Sequence, residues 1–384
     1  LSSLNTKKAD YIILGTGCAG LSLVMRMIRS GKFSEKQILL IDKTPKENND
    51  RTWCFWEKQN GFFEDIVYKS WPSLNFFSPG FSSDLNISPY QYKMIRGIDF
   101  YNYCFDEISK HSNIEVIYDE VKDVSFQNNK NVIRLGNSII ETTAAVVFNS
   151  IYKPANGDDN KTIRLLQHFK GWFIESDKPV FNPSIGALMD FRVKQDAGTT
   201  FAYALPFSET KSLIEYTLFT GQLLKNEQYD TGLKEYINGQ LKIDNYKILA
   251  EEFGVIPMTN ERFRFYKNGV YYIGTAGGQT KASSGYTFQF IQKQSEKIVN
   301  HLVSGKSLQL IQAEPKRFSF YDTVLLRLLA ERKLAGDKIF TQLFQRNKAS
   351  DVFKFLDNET SLVDELKLIA SLPVFPFLKA ALKG

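Results

Sequence analysis

A chain of 384 residues exceeds the size at which one hydrophobic core stops growing, so two domains or one domain with a large insertion are expected. Apolar residues at 43% and charged residues at 23% are ordinary for a globular protein, while 31 Phe and 18 Tyr are a large aromatic stock, suited to lining a big apolar ligand or to filling a core. A net charge of +6 without a basic block argues against a nucleic-acid footprint, and three cysteines with no CxxC spacing, beside three histidines, argue against a disulfide framework or a structural zinc site and for a reducing compartment.

The leading residues, Lys7, Lys8 and Asp10 among them, include no apolar segment suited to export, and no stretch approaches 18 apolar residues, so neither secretion nor a membrane span is expected. The apolar run Tyr11-Ile12-Ile13-Leu14 leads into Gly15-Thr16-Gly17-Cys18-Ala19-Gly20, a helical pattern that closes near Gly31, and a second run over 37–40 ending in Ile41-Asp42. Strand, glycine loop, helix, strand and terminal acid make a dinucleotide-binding unit. The first glycine permits the tight turn, the second lets backbone N–H groups approach a pyrophosphate, the third lets helix lie on strand, and Asp42 suits a ribose diol. A glycine-rich turn in an ordinary α/β domain, with Asp42 merely ending a strand, is the plainer alternative.

Short strand-like runs follow at 114–118, 121–126, 132–135 and 145–148, and the polar break Asn156-Gly157-Asp158-Asp159 puts a boundary near 150–165. From 186 to 220 the pattern alternates, predicting antiparallel strands over 199–205 and 212–219 joined by a turn at 206–211. Val270-Tyr271-Tyr272-Ile273-Gly274 predicts one more buried strand, then a glycine-rich loop and a helix over 288–302. Beyond 320 the spacing of Val324, Leu325, Leu328, Leu329 and of Ile339, Phe340, Leu343, Phe344 is helical. The fold class is therefore α/β. Residues 1–165 are expected to form the first part of a Rossmann-like dinucleotide-binding domain, 166–255 an antiparallel β insertion on the substrate side, 256–305 the return of the first domain, and 306–384 a helical C-terminal region. The end of that region, 372–384, mixes Phe375, Phe377, Leu378 and Leu382 with Lys379 and Lys383, a composition suited to an anionic membrane surface or to packing on its own domain; Pro373 and Pro376 prevent a long amphipathic helix.

Within 212–219, alternation puts Leu213, Glu215, Thr217 and Phe219 on one face and Ile214, Tyr216 and Leu218 on the other. A carboxyl among large apolar residues on both faces is either buried and held neutral or an edge-strand glutamate paired with a lysine.

Asp50-Arg51-Thr52-Trp53-Cys54-Phe55-Trp56 resembles the hallmark of flavin-dependent lycopene cyclases, and the resemblance runs along nearly the whole chain. It is supported by Tyr92-Lys93-Met94-Ile95-Arg96-Gly97, Leu188-Met189-Asp190-Phe191-Arg192, Tyr203-Ala204-Leu205-Pro206, Leu213-Ile214-Glu215-Tyr216-Thr217, Glu252-Phe253-Gly254-Val255-Ile256-Pro257 and Ser284-Gly285-Tyr286. The resemblance implies a two-domain FAD protein, a carotenoid substrate such as lycopene, and a reduced flavin that acts without net redox turnover, NAD(P)H being a source of its electrons. It also implies a cytoplasmic chain lying peripherally on the inner face of the cell membrane, where the substrate is dissolved.

Ring closure of a polyene end needs a proton for the terminal alkene, a carbocation shielded from water, and loss of a different proton. A neutral carboxylic acid is the donor such chemistry demands. The resemblance makes Glu215 that acid-base residue, with Asp190 the next candidate. Trp53, Phe55 and Trp56, with Tyr286, are expected on the substrate, where ring faces attract a cation, unless they are core. Arg51 is expected on the flavin, at phosphate or ring. Gly274-Thr275-Ala276-Gly277-Gly278 stands where many FAD enzymes carry Gly-Asp; Thr275 is expected to replace the acid at a ribityl hydroxyl, Gly277 and Gly278 to admit the cofactor, and the following helix to aim its N-terminus at the flavin. Lys281 faces flavin or solvent on this reading and is not assigned to catalysis. An oxidoreductase of the same fold, a monooxygenase or prenyl reductase, is the rival, and a carotenoid carrier with a vestigial flavin site the third reading.

Overall fold

The computed structural model describes residues 3–5, 9–128, 130–136, 138–142, 145–154 and 162–382. The polar break at 156–159, the leading Lys7 and Lys8, and Lys383 lie outside them.

Tyr11–Leu14, half-buried at Tyr11 and buried at the apolar Ile12, Ile13 and Leu14, make the central strand of a six-stranded sheet. Its order is Tyr266–Lys267, Val270–Tyr272, Val146–Asn149, Tyr11–Leu14, Ile38–Asp42, Ile114–Tyr118, parallel except for the outermost hairpin. Near-continuous apolar strands are what a parallel sheet buried on both faces requires. Helices Cys18–Ser30 and Phe288–Val303 pack together on one face, in a core with Ile13, Leu21, Val24, Ile291 and Ile298. A four-stranded sheet, Ser3–Asn5, Ser138–Thr142, Lys130–Leu135 and Val121–Gln127, covers the other.

A seven-stranded sheet forms the second layer, in the order Tyr246–Thr259, Arg164–Ser176, Lys211–Thr220, Thr199–Pro206, Ile185–Asp190, Ser73–Ser78, Phe81–Asn86. The expected division of the chain is corrected here: two of its strands come from within 1–165, and its edge strand runs on to Thr259. The alternation Leu74, Phe76, Ser78 inward against Ser73, Asn75, Phe77 was the available sign of 73–78 as a half-buried strand. A three-stranded sheet, Thr52–Glu57, Gln91–Arg96 and Lys69–Trp71, bridges the two large ones.

The two faces of the seven-stranded sheet are covered differently. Ile214, Tyr216 and Leu218 pack with Tyr229, Leu233, Tyr236 and Ile237 of helix Asn226–Gly239. Leu213 and Phe219 point the other way, into a core shared with Trp56, Tyr92 and the C-terminal helices Lys316–Ala330, Gly336–Arg346 and Ala349–Leu356. Helix Gly336–Arg346 meets the sheet where a Cβ on Gly336 would stand 2.2 Å from Thr199 Oγ1. Gly336→Val is therefore expected to lift this helix and lower stability by about 1–3 kcal/mol, the usual cost of overpacking, measured by denaturant unfolding.

Candidate functional site

The glycine loop has the geometry its spacing implies. Gly15 sits at φ 93°, closed to side chains by Ser150 Oγ at 2.3 Å from the place of a Cβ. A Cβ on Gly20 would lie 2.0 Å from the Gly15 carbonyl oxygen, which fixes helix against strand. A Cβ on Gly17 would meet nothing within 4 Å. Only there does the missing side chain leave a cradle open, at the N-cap of helix Cys18–Ser30, where an anion is favoured. Asp42 reaches the loop: its Oδ2 accepts from Thr16 N at 2.6 Å and Thr16 Oγ1 at 2.9 Å, and its Oδ1 from Lys46 Nζ at 3.2 Å. Burial alone would raise this carboxyl, but the Thr16 hydrogen bonds and the Lys46 charge hold it below its ordinary value. The residues present thus fit a dinucleotide pyrophosphate. Cys18 is a packing residue, its thiol pushed up to about 12 by burial. Ala19 touches the second segment, since a Cβ on Gly274 would lie 2.7 Å from Ala19 Cβ.

That second segment is a 3-10 turn, Gly274–Gly277. The space at Gly277 and Gly278 is bounded by the chain itself, a Cβ on the one lying 2.2 Å from the Tyr272 carbonyl oxygen and on the other 2.9 Å from Phe263 Cβ, so the turn itself requires their bareness. Thr275 Oγ1 shares a hydrogen bond with Thr280 Oγ1 at 3.0 Å. The next α-helix starts only at Phe288. Lys281 faces neither flavin nor bulk water: it is 3% exposed, paired with Asp322 at 2.8 Å and bonded to Asn358 at 2.7 Å. Arg51 is exposed, its Nη1 donating to the Asp50 carbonyl, near Tyr101, whose hydroxyl is also close enough to Cys18 to feel that thiol.

The strand Thr52–Glu57 divides its motif between two faces. Trp53 and Phe55 pack in the Rossmann-side core, Trp53 edge-on to Phe100 at 5.2 Å and Phe55 stacked on Phe288 at 4.4 Å. The two-residue period puts both on the face opposite Trp56, where Phe55 lines a cavity of about 450 Å³ with Phe62, Phe63 and Phe288. Thr52, Cys54 and Trp56 turn to the seven-stranded sheet. Trp56 donates its indole N–H to Asp357 Oδ2 at 2.8 Å, stacks on Phe353 at 4.4 Å and meets Tyr286 edge-on at 4.4 Å. Trp56 and Tyr286 line an apolar pocket with Leu188, Tyr203, Phe219 and Phe344; the cavity is nearly closed, at about 20 Å³.

Glu215 is not part of that lining but neighbours its two tyrosines. Tyr203 stands directly opposite it on the neighbouring strand, and the Tyr203 hydroxyl is bonded to Tyr286. Glu215 keeps part of its surface open although it sits deep in the chain, as a carboxyl bordering an interior space does. Its Oε1 accepts from Thr217 Oγ1 at 2.6 Å, and among the described residues no Lys or Arg bonds to it. Burial first and the nearby Glu252 carboxyl second raise its pKa. The lysine-paired alternative is not what the structure contains.

Asp190, the second acid candidate, is corrected. It is fully buried on the opposite face, where Arg192 grips it through Nε at 2.9 Å and Nη2 at 2.6 Å and Tyr236 donates to it at 3.0 Å. A carboxylate so neutralised is a structural anchor. Sequence reasoning missed Glu252, Thr52, Cys54, Tyr92 and Tyr203. Glu252 Oε2 accepts from Thr52 Oγ1 at 2.5 Å, Cys54 feels both glutamates, and Tyr92 O–H lies 3.4 Å from Tyr286 O–H.

Rossmann-like layer, glycine loop and antiparallel second layer together make a two-layer α/β fold of the kind found in solved flavoproteins. A geranylgeranyl bacteriochlorophyll reductase-like protein of Thermoplasma acidophilum superposes with TM-score 0.68 at 13% identity, over 98% of this chain and 99% of its own. A flavoprotein/dehydrogenase of Cytophaga hutchinsonii does so with TM-score 0.66 at 12%, over 98% and 100%. p-Nitrophenol 4-monooxygenase of Pseudomonas putida gives 0.60 at 10%, over 99% and 98%. More narrowly, residues 10–382 match the family described as Lycopene cyclase protein, and the chain belongs to that family. A lycopene beta-cyclase of Pantoea ananas is 26% identical over 259 residues, which are 65% of this chain and 62% of that protein's length.

Because Gly17, of the three loop glycines, opens onto free space, Gly17→Val is expected to abolish binding of added FAD, followed by flavin fluorescence quenching, while thermal unfolding stays within a few degrees of wild type. Retained flavin would show the loop to be only a turn.

Proposed function

We propose that this chain is a flavin-dependent cyclase that closes the ends of linear lycopene into β-ionone-type rings, an isomerisation. The observation that carries the reading is Glu215, a carboxyl deep in the chain, free of any Lys or Arg partner among the described residues, and paired across strands with Tyr203 of an aromatic pocket. Such a group keeps its proton at pH values where an exposed glutamate is ionised, and so retains an acid able to protonate an alkene. The Glu215 O–H bond breaks as the terminal alkene carbon takes the proton. Trp56 and Tyr286 present ring faces to the cation that results, each attraction being about 0.5–2 kcal/mol in a dry site. The indole N–H bond to Asp357 leaves electron density on the Trp56 ring and fixes its orientation. Apolar walls at Leu188, Phe219 and Phe344 exclude the water that would trap the cation. The π pair of the neighbouring double bond then forms the ring C–C bond, a proton on the carbon beside the relocated cation passes out to solvent as the ring double bond forms, solvent reprotonates the Glu215 carboxylate, and no net redox change occurs.

The groups that would hold FAD are the loop Gly15–Gly20 and Asp42, with Arg51 and Thr275 at its borders. When bound in its reduced form, FAD supplies a negative ring system that favours developing positive charge. NAD(P)H is the proposed source of those electrons, consumed once rather than at each turnover. The reductase and monooxygenase folds favour a second reading, a flavin oxidoreductase acting on an isoprenoid. Nicotinamide oxidation in step with product would establish it.

For cyclisation of lycopene in liposomes, Glu215→Gln is expected to keep fold and flavin but lower the rate a hundredfold or more, since Gln keeps the shape and lacks the proton. In D₂O the wild type should incorporate one deuterium per ring closed. Turnover within a few-fold of wild type in Glu215→Gln would move the acid elsewhere.

The substrate's solubility calls for a membrane-facing surface, and a peripheral position on the inner face of the cell membrane is proposed. Among the described residues no helix is long and apolar enough to cross a membrane. Helix Val374–Ala381 rests on helix Lys316–Ala330, with Ala380 buried and its carbonyl bonded to Arg327 at 2.6 Å. Its other side leaves Phe375 86% and Leu382 88% exposed, and the preceding helix Leu362–Ala370 exposes Leu362, Val363 and Leu366. Phe375→Asp with Leu382→Asp is expected to weaken liposome partitioning at least about tenfold while detergent turnover holds; equal partitioning would remove this surface from the docking role.

A further inference from the structure

One row crosses the inner face of the seven-stranded sheet. Glu252 pairs with Gly171, Gly171 with Glu215, and Glu215 with Tyr203. Strands lie about 4.8 Å apart, so the two glutamate Cα atoms are separated by roughly 10 Å with a residue of no side chain between them. Glu252 fills that gap. A Cβ on Gly171 would lie 2.9 Å from Glu252 Cγ, 3.1 Å from Glu252 Oε1 and 3.0 Å from Leu213 Cδ1. The glutamate side chain therefore leans along the sheet toward Glu215 over the bare glycine.

The polar bonds are incomplete in a way that matches. Glu252 Oε2 is held by Thr52 Oγ1 at 2.5 Å, while Glu252 Oε1 is buried without a hydrogen-bond partner. The groups facing the pair from the other elements are neutral: Cys54 and Tyr92 from the three-stranded sheet, Tyr203 from the adjoining strand, and Tyr286 from the loop before helix Phe288–Val303. Cations nearby serve others. Lys170, next to Gly171 in sequence, turns to the opposite face and takes Asp230 at 2.5 Å and Glu251 at 3.0 Å. Two carboxyls in a dry space without a cation do not both ionise.

We propose that Glu252 is a positioning residue for the proton on Glu215: the two carboxyls share protons across Gly171, Thr52 orients Glu252, and the missing side chain at 171 lets the pair form. This rests on the cyclase reading. In each turnover the pair gives one proton to the alkene carbon and regains one from solvent, while the proton lost by the cyclised cation passes to solvent, so its charge is restored without another reactant.

The test compares pH profiles of cyclisation in wild type, Glu252→Gln, Glu252→Asp and Gly171→Ala, with flavin content and unfolding temperature as controls of fold. Removing the second carboxyl lets Glu215 ionise more easily. The alkaline limb in Glu252→Gln should therefore move about one pH unit or more toward acid, with KM unchanged. Gly171→Ala should move it the same way, and Glu252→Asp should restore part of the shift. Infrared titration of the substrate-free protein is the second readout: wild type should keep a protonated carboxyl signal above about pH 6, and Glu252→Gln should lose it at lower pH. An alkaline limb and a carboxyl signal both unmoved by Glu252→Gln would overturn the pair while leaving the cyclase reading intact. A wild type that does not cyclise lycopene would overturn that reading, with the infrared titration still deciding the pair.

Discussion

Carboxyl groups without a countercharge, set in the dry space between two sheets, are the constraint to which the rest of this structure answers. Neither Glu215 nor Glu252 has a cation within bonding reach among the described residues, and burial raises the pKa of both. Their surroundings follow from keeping it so. The three-stranded sheet presents Thr52, Cys54 and Trp56 to them, groups that donate a hydrogen bond or exclude water but carry no charge. Lys170 and Arg192, close in sequence to the site's strands, are both turned to the face covered by helix Asn226–Gly239. The same sheet thus keeps these two cations, with the acids paired to them, on one side and the two cation-free glutamates on the other.

Asp190 shows what the alternative looks like. It is as deeply buried as any residue in the chain, yet two guanidinium nitrogens and a tyrosine hydroxyl satisfy it, and it works as an anchor. The glutamates are the reverse case, and linkage gives the sign of their effect. Below the unfolded value of about 4.3 they are protonated in both states and contribute no penalty. As pH rises toward the raised folded values the unfolded chain releases protons that the folded chain keeps, so stability falls across that interval. A fold selected for stability alone has no use for that arrangement; a proton donor at neutral pH requires it.

Much of the frame was legible in the sequence because it follows from local periodicity. Tyr11–Leu14, the glycine loop, helix Cys18–Ser30 and the strands Thr199–Pro206 and Lys211–Thr220 each obey one spacing rule, and the face of Glu215 followed from counting by two. The same count applied to 52–57 separates Trp53 and Phe55 from Trp56, yet the motif reads as one aromatic cluster until the strand is seen. Glu252 was hidden for a different reason. Its strand Tyr246–Thr259 is an edge strand whose outward residues include Ile248, Leu249, Phe253 and Val255, so apolar side chains face water while the acid is buried, reversing the usual pattern. Its partner is 37 residues away and is brought close by a glycine on a third strand. No window of sequence contains that relation.

The pocket beside Glu215 is nearly closed, and its two walls are unequal. At about 20 Å³ it holds no more than one water, far less than an isoprenoid end occupies. On the sheet wall Phe219 pairs with Gln167 on one side and Thr199 on the other and Tyr203 pairs with Glu215, while Leu188 sits where the ladders of its strand shift register. The opposite wall, Phe340, Leu343, Phe344, Val352 and Phe353, belongs to two short helices held by side-chain packing, with no ladder of hydrogen bonds to the sheet. Room for a large apolar ligand therefore comes from the helical side, and an acid mounted on the rigid wall keeps its position while the other wall yields. On the cyclase reading proposed above, this division of labour puts proton placement in the sheet and accommodation of substrate in the helices.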